Sequence, residues 1–263
     1  MPVAQPIKIS IVNLSTLFHD AELPALANAL QIQTTRDFFP EWGVNASIYY
    51  TPTGKRPTAD HWVIALLDDA DQAGVLGYHD ITPKGMPLGK AFVRTTLADH
   101  GEVSVTVSHE LLEMLGDPDV NLTALSGSRL YAYEICDAVE ADMLAYGIEI
   151  PVGWEGAGKN ILVSDFVLPS WFEDFRKSGP FAFKTPLSTP FELAAGGYIG
   201  VLDLNHLSQG WQQITAMTDA RSKMASRPRA GSRRSRRAIN RDGWVYSTYS
   251  TGADSIPVWK EAA

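Results

Sequence analysis

Val105-Thr106-Val107-Ser108-His109-Glu110-Leu111-Leu112-Glu113-Met114-Leu115-Gly116-Asp117-Pro118 is the stretch on which the reading of this chain turns. Residues four apart share a helix face, so His109 and Glu113 can close on a single ion. Glu110 lies about 100° round the helix from His109 and can lean over a water bound to that ion. Val105, Val107, Leu111, Leu112, Met114 and Leu115 enclose this polar trio. A His-Glu-Glu cluster among apolar residues needs a charge partner, because burying unpaired charge is costly. The helix is expected to begin between Val103 and Ser108. It should end at Gly116, with glycine as a left-handed cap and Pro118 blocking continuation.

A catalytic zinc normally takes three protein ligands and a water, and accepts carboxylate oxygen as well as imidazole nitrogen. The third ligand is sought in Tyr133-Glu134-Ile135-Cys136-Asp137-Ala138-Val139-Glu140, where Glu134 and Asp137 are three apart and could share a helix face. The expected ligands are His109, Glu113 and Glu134, with Asp137 behind them orienting the histidine. Asp117, one turn past Glu113, is the main rival for the third place, and Asp137 is another. So anionic a set would also admit Mn2+ or Ca2+. In a hydrolase built this way Glu110 takes the proton of the metal-bound water and delivers it to the leaving amine. The oxyanion needs one more donor, for which His79 is the first candidate and Tyr131 and Tyr133 follow. The same His-Glu-x-x-Glu pattern also arises as a solvated helix face. The enclosing apolar residues and the downstream acids argue against that here.

His109-Glu110-x-x-Glu113-x-x-x-Asp117-Pro118 followed by Glu134-Ile135-x-Asp137 resembles a group of zincin-like metallopeptidases of bacteria and bacteriophages with an H-E-x-x-E core. Gly77-Tyr78-His79-Asp80, residues 160–171 and the Arg-rich tail are similar-looking pieces. The resemblance implies a zincin-like mixed sheet, a metal-bearing active-site helix and peptide or protein substrates. The gluzincin motif that it also resembles, H-E-x-x-H, carries a second histidine where this chain has Glu113.

The rest of the sequence sets the frame. A chain of 263 residues, 45% hydrophobic and 10% aromatic, is a folded globular protein. No apolar run approaches the roughly 18 residues of a membrane span. The N-terminus lacks the basic region and apolar block of a secretory signal, and a single cysteine, Cys136, excludes an intrachain disulfide. A cytoplasmic location is expected, and Cys136 reads as a small buried residue. Residues 153–159 imitate a phosphate-binding loop, but Asn160 stands where the hydroxyl residue belongs. The net charge of −8 hides an asymmetry: residues 221–241 hold nine bases and no acid, leaving 13 bases against 30 acids elsewhere. Such a strip could bind nucleic acid or an acidic partner with salt-sensitive affinity. It lacks aromatics for base stacking, and the acidic body would repel a polyanion, so nucleic acid is the weaker choice of partner.

Alternation marks strands at 7–14, 46–50 and 62–67, and a helix is expected from an Asp20 cap to about Asp37, stopping before Pro40. Further strands are expected at 74–78 and 91–95, joined by a loop at 82–89, then at 148–150, 161–164 and 198–203. The expected architecture is α+β, with a zincin-like core at 1–145, a less regular portion at 146–220 packed on it, a mobile Arg-rich segment at 221–241 and a tail at 242–263.

Overall fold

The computed structural model describes residues 5–71 and 75–216. The Arg-rich segment and the tail lie outside these residues. Strands β1 (Ile7–Asn13), β2 (Ala46–Thr51), β3 (Trp62–Leu67), β4 (Gly77–Ile81) and β5 (Pro87–Phe92) form a five-stranded sheet with β3 at its centre. The order is β2-β1-β3-β5-β4. All neighbours are parallel except β4, which runs antiparallel to β5 along the edge. Ile9, Ile11, Ile64, Leu66 and Ala91 point to one face and Val12, Val63, Ala65, Leu67, Leu88 and Phe92 belong to a second cluster on the other. Burial on both faces explains why β3 reads as a continuous apolar run.

Helix α1 (Leu23–Ile32) continues through a π-helical turn (Gln33–Phe38) into a short α2 (Phe39–Trp42), closed by Gly43 in the left-handed region at φ 69°. Pro40 therefore does not stop the chain: it falls in the first turn of α2, where a missing N–H costs little. Asp20 does not cap the helix directly. It accepts from Asn13 Nδ2 at 2.8 Å and from the Thr53 N–H at 3.1 Å, while His19 precedes the first turn. Leu23, Leu26 and Leu30 are buried in the same cluster as Ile9 and Ile64. Each such side chain contributes roughly 1.5–3 kcal/mol relative to exposure.

After β5 come α3 (Val93–Ala98) and α4 (Val103–Gly116). Helix α4 packs against β5, β4 and β3 and buries all but a few of its residues. Its end differs from expectation. Gly116 is the last helical residue and Asp117, at φ −138°, caps it. Glycine there lets Ile135 pack close, since a Cβ would lie 3.1 Å from Ile135 Cδ1 and the isoleucine would have to give by a few tenths of an ångström.

The remaining strands form an antiparallel four-stranded sheet, β11-β10-β7-β6, from β6 (Thr123–Ser126), β7 (Arg129–Ala132), β10 (Tyr198–Asp203) and β11 (Trp211–Thr215). A hairpin of β8 (Tyr146–Glu149) and β9 (Asn160–Val163) lies against α1 and α4. Gln33, fully buried, donates to Ser164 O at 2.9 Å, and Ser108 Oγ accepts the Ser164 N–H at 2.7 Å. One hydrophobic cluster runs from Ile9 to Val201, so residues on both sides of position 145 share a core. The architecture is mixed α and β, with mostly antiparallel pairing outside the central parallel strands. Among the described residues no helix is long and apolar enough to cross a membrane.

Candidate metal centre

Helix α4 presents His109, Glu110 and Glu113 toward β4 and toward the segment after β7. His109 and Glu113 meet as the i,i+4 spacing requires, with Nε2 3.2 Å from Glu113 Oε1. The third group to reach them is Asp137, whose Oδ1 lies 3.3 Å from His109 Nε2. Asp137 opens a tight 3-10 turn, Asp137–Val139, that follows an irregular stretch rather than a helix. That turn is pinned from below: Ala138 O accepts the Ala194 N–H at 2.9 Å. Gly197 comes so close that a Cβ on it would sit 2.1 Å from Ala138 O. The N–H of Cys136 donates to Glu113 Oε1 at 3.4 Å, fixing the same loop to the helix.

A second group forms on the other side of Glu113. Strand alternation turns Gly77 and His79 of β4 toward α4 and Tyr78 toward the opposite cluster. His79 Nδ1 stands 3.4 Å from Glu113 Oε2 and 3.8 Å from Glu110 Oε2. Its Nε2 is 3.9 Å from Glu134 Oε2. Gly77 makes room for the Glu110 carboxylate: a Cβ there would lie 2.7 Å from Glu110 Oε1. Among the described residues, His109-Glu113-Asp137 and His79-Glu113-Glu134 are the groups whose donor atoms could hold a cation, each set lying within 4.8 Å.

Each expected site residue can now be placed. His109, Glu113 and Asp137 come together, and Glu134 joins His79 instead of His109. His79, expected as an oxyanion donor, lies within the carboxylate cluster as a candidate ligand. Glu110 sits between α4 and β4 as its position on the helix requires. Asp117 faces away: its Oδ1 and Oδ2 accept the N–H groups of Asn121 and Leu122, each at 3.0 Å. Tyr131 packs on Phe191 with centroids 4.2 Å apart and Tyr133 on Phe172 at 4.0 Å. Burial first, then the charges of Glu173 and Asp117, raises the Tyr133 phenol pKa. Cys136 is fully buried, and burial holds its thiol well above the usual range. The loop at 153–159 joins β8 to β9 and is followed by a strand rather than the helix a phosphate loop requires.

The electrostatics fit a cation. Glu110, Glu113, Glu134 and Asp137 are at most 6% exposed, and His79 and His109 are as buried. Burial alone would lower the His109 pKa, but the Glu113 charge and the contact with Asp137 push it well above the ordinary imidazole range. Burial and then the Glu113 charge push the Asp137 carboxyl well up, with His109 pulling against them. Asp137 Oδ1 is buried and its approach to His109 falls outside hydrogen-bond geometry. Imidazole nitrogen with two carboxylate oxygens is a donor set that Zn2+ accepts. Comparison of the chain with protein-family models, curated proteins and solved structures finds no match.

Proposed function

We propose that this chain is a divalent-metal-dependent hydrolase of the metallopeptidase kind, acting on peptide or protein substrates. One observation carries the reading: His109 and Glu113, one helical turn apart, meet Asp137 from a distant loop within 3.3 Å while Glu110 stands on the neighbouring helix position. A mixed sheet packed on the helix that bears these residues supports the zincin-like likeness. His109, Glu113 and Asp137 would hold the ion, Zn2+ by the donor set, with Mn2+ or Ca2+ admitted by its carboxylates. A bound ion supplies a water of lowered pKa and polarises the substrate carbonyl. Glu110 is the proton acceptor, positioned by Gly77 at its back and His79 at its side.

A second reading, that the ion only braces the fold, draws on burial: Glu113 and His79 are 0% exposed. Glu110→Gln decides between them. Loss of peptide hydrolysis by roughly 10²–10⁴-fold with metal content unchanged supports the enzyme. A wild-type chain that binds metal, gains stability from it and cleaves no peptide supports the brace. The single cysteine, which can form no intrachain disulfide, suits a reducing compartment, and we place the chain in the cytoplasm on that ground. Engagement of nucleic acid or an acidic partner rests on residues 221–241, and a salt-sensitive complex lost on their deletion would support it.

A further inference from the structure

We propose that the cluster is built for two divalent cations bridged by Glu113, so that His79 and Glu134 hold a second ion beside the one on His109 and Asp137. This rests on the metal reading above and deepens it. The Glu113 carboxylate serves two directions: Oε1 faces His109 Nε2 at 3.2 Å and Oε2 faces His79 Nδ1 at 3.4 Å. Each oxygen therefore heads its own set of one imidazole and one further carboxylate: Asp137 for the first, and for the second Glu134, which lies nearest His79 Nε2 at 3.9 Å and must swing to the Nδ1 side to share an ion with Glu113. A carboxylate shared in this way suits ions about 3.5–4 Å apart, the separation of two-metal hydrolase sites.

Charge points the same way. Four carboxylates, Glu110, Glu113, Glu134 and Asp137, are each no more than 6% exposed and converge on one small volume. One divalent cation answers half of their charge when all are ionised, and two answer all of it. Asp137 Oδ1, buried and without a hydrogen bond, is aimed into the cluster. On the His79 side, glycine occupies the one neighbouring β4 position where a side chain would intrude, since a Cβ on Gly77 would meet Glu110 Oε1 at 2.7 Å. With one nitrogen and two carboxylates, the second position admits Mn2+ as well as the more tightly held Zn2+.

The test uses the full chain, stripped with chelator and reloaded with Mn2+, and reads ions per chain by equilibrium dialysis and magnetic coupling by electron paramagnetic resonance. The expected result is two ions per chain and an exchange-coupled spectrum. His79→Asn and Glu134→Gln should each leave one ion and the spectrum of isolated Mn2+, with circular dichroism checking their fold. One ion per wild-type chain, or two without coupling, overturns the bridged pair and leaves the single-ion reading standing. Absence of tight binding by Mn2+ and Zn2+ alike overturns both. The wild-type measurement decides even if a variant misfolds.

Discussion

Replacing Gly197 with alanine should damage the site from outside it. Gly197 carries no ligand, yet the added Cβ would lie 2.1 Å from Ala138 O and 2.6 Å from Ala138 C. Both are backbone atoms, so neither can swing aside as a side chain could. The two segments must part by about 1 Å, an overpacking that costs about 1–3 kcal/mol. For a chain of this size each kcal/mol lowers Tm by roughly 2–4 °C, so the fall should be roughly 2–12 °C. Asp137 precedes Ala138 in the same turn and must move with it, away from its 3.3 Å approach to His109. Disturbing a group that positions a ligand typically costs 10–100-fold in metal affinity. Thermal melting and a competition titration with a chromophoric chelator measure the two effects. Gly156→Ala is the control: in the β8–β9 loop, at φ 83°, its Cβ would lie 2.6 Å from Ala25 Cβ, and it should lower Tm while sparing affinity. A Gly197→Ala protein with unaltered Tm and unaltered affinity would refute the view that this close approach seats Asp137.

Metal affinity should strengthen as pH rises. Protons on His109 and Asp137, both held above their ordinary ranges, compete with the cation, so acid weakens binding, and titration calorimetry across pH should show protons released on binding. Asp117→Ala should leave metal content unchanged, because that carboxylate serves the Asn121 and Leu122 N–H groups. Its loss should cost about 0.5–1.5 kcal/mol for each hydrogen bond given up, since both donors belong to exposed residues that water can reach, read by denaturant melting. Saturating Zn2+ should raise Tm. At a free concentration 100 times Kd the gain is about 2.7 kcal/mol, and a Tm that ignores zinc would count against binding to the folded state.

Much of this arrangement can be read from the chain itself, and the parts that cannot share a cause. Helix α4 is legible because its apolar residues enclose the polar trio and an Asp-Pro step follows the glycine. Strands β1, β3 and β10 follow from simple alternation or a short apolar run. The β4–β5 hairpin is harder. Pro87 and Gly89 suggest loop, yet both lie within β5: Pro87 is its first residue, where no ladder N–H is required, and Gly89 fits under Ile64. That shift moves β4 later and brings His79 beneath the helix, a placement no local spacing reveals. Alternation of Gly77 and His79 on one face was the available signal. Spacing also could not rank Glu134 against Asp137, because they sit in an irregular loop where neither strand nor helix period applies. Contacts distant in sequence seat that loop: Gly197 against Ala138, the Ala194 N–H on Ala138 O and the Cys136 N–H on Glu113 Oε1.

Metal analysis of the purified full chain beside Glu113→Gln, after dialysis against Zn2+ and removal of loosely held ions, tests the site most directly. Glu113 belongs to both candidate groups, so the wild type should retain zinc stoichiometrically and the variant, still folded by circular dichroism, should lose it. A wild-type chain that retains none, or a folded variant that retains as much, would contradict the claim that these buried imidazoles and carboxylates hold a cation.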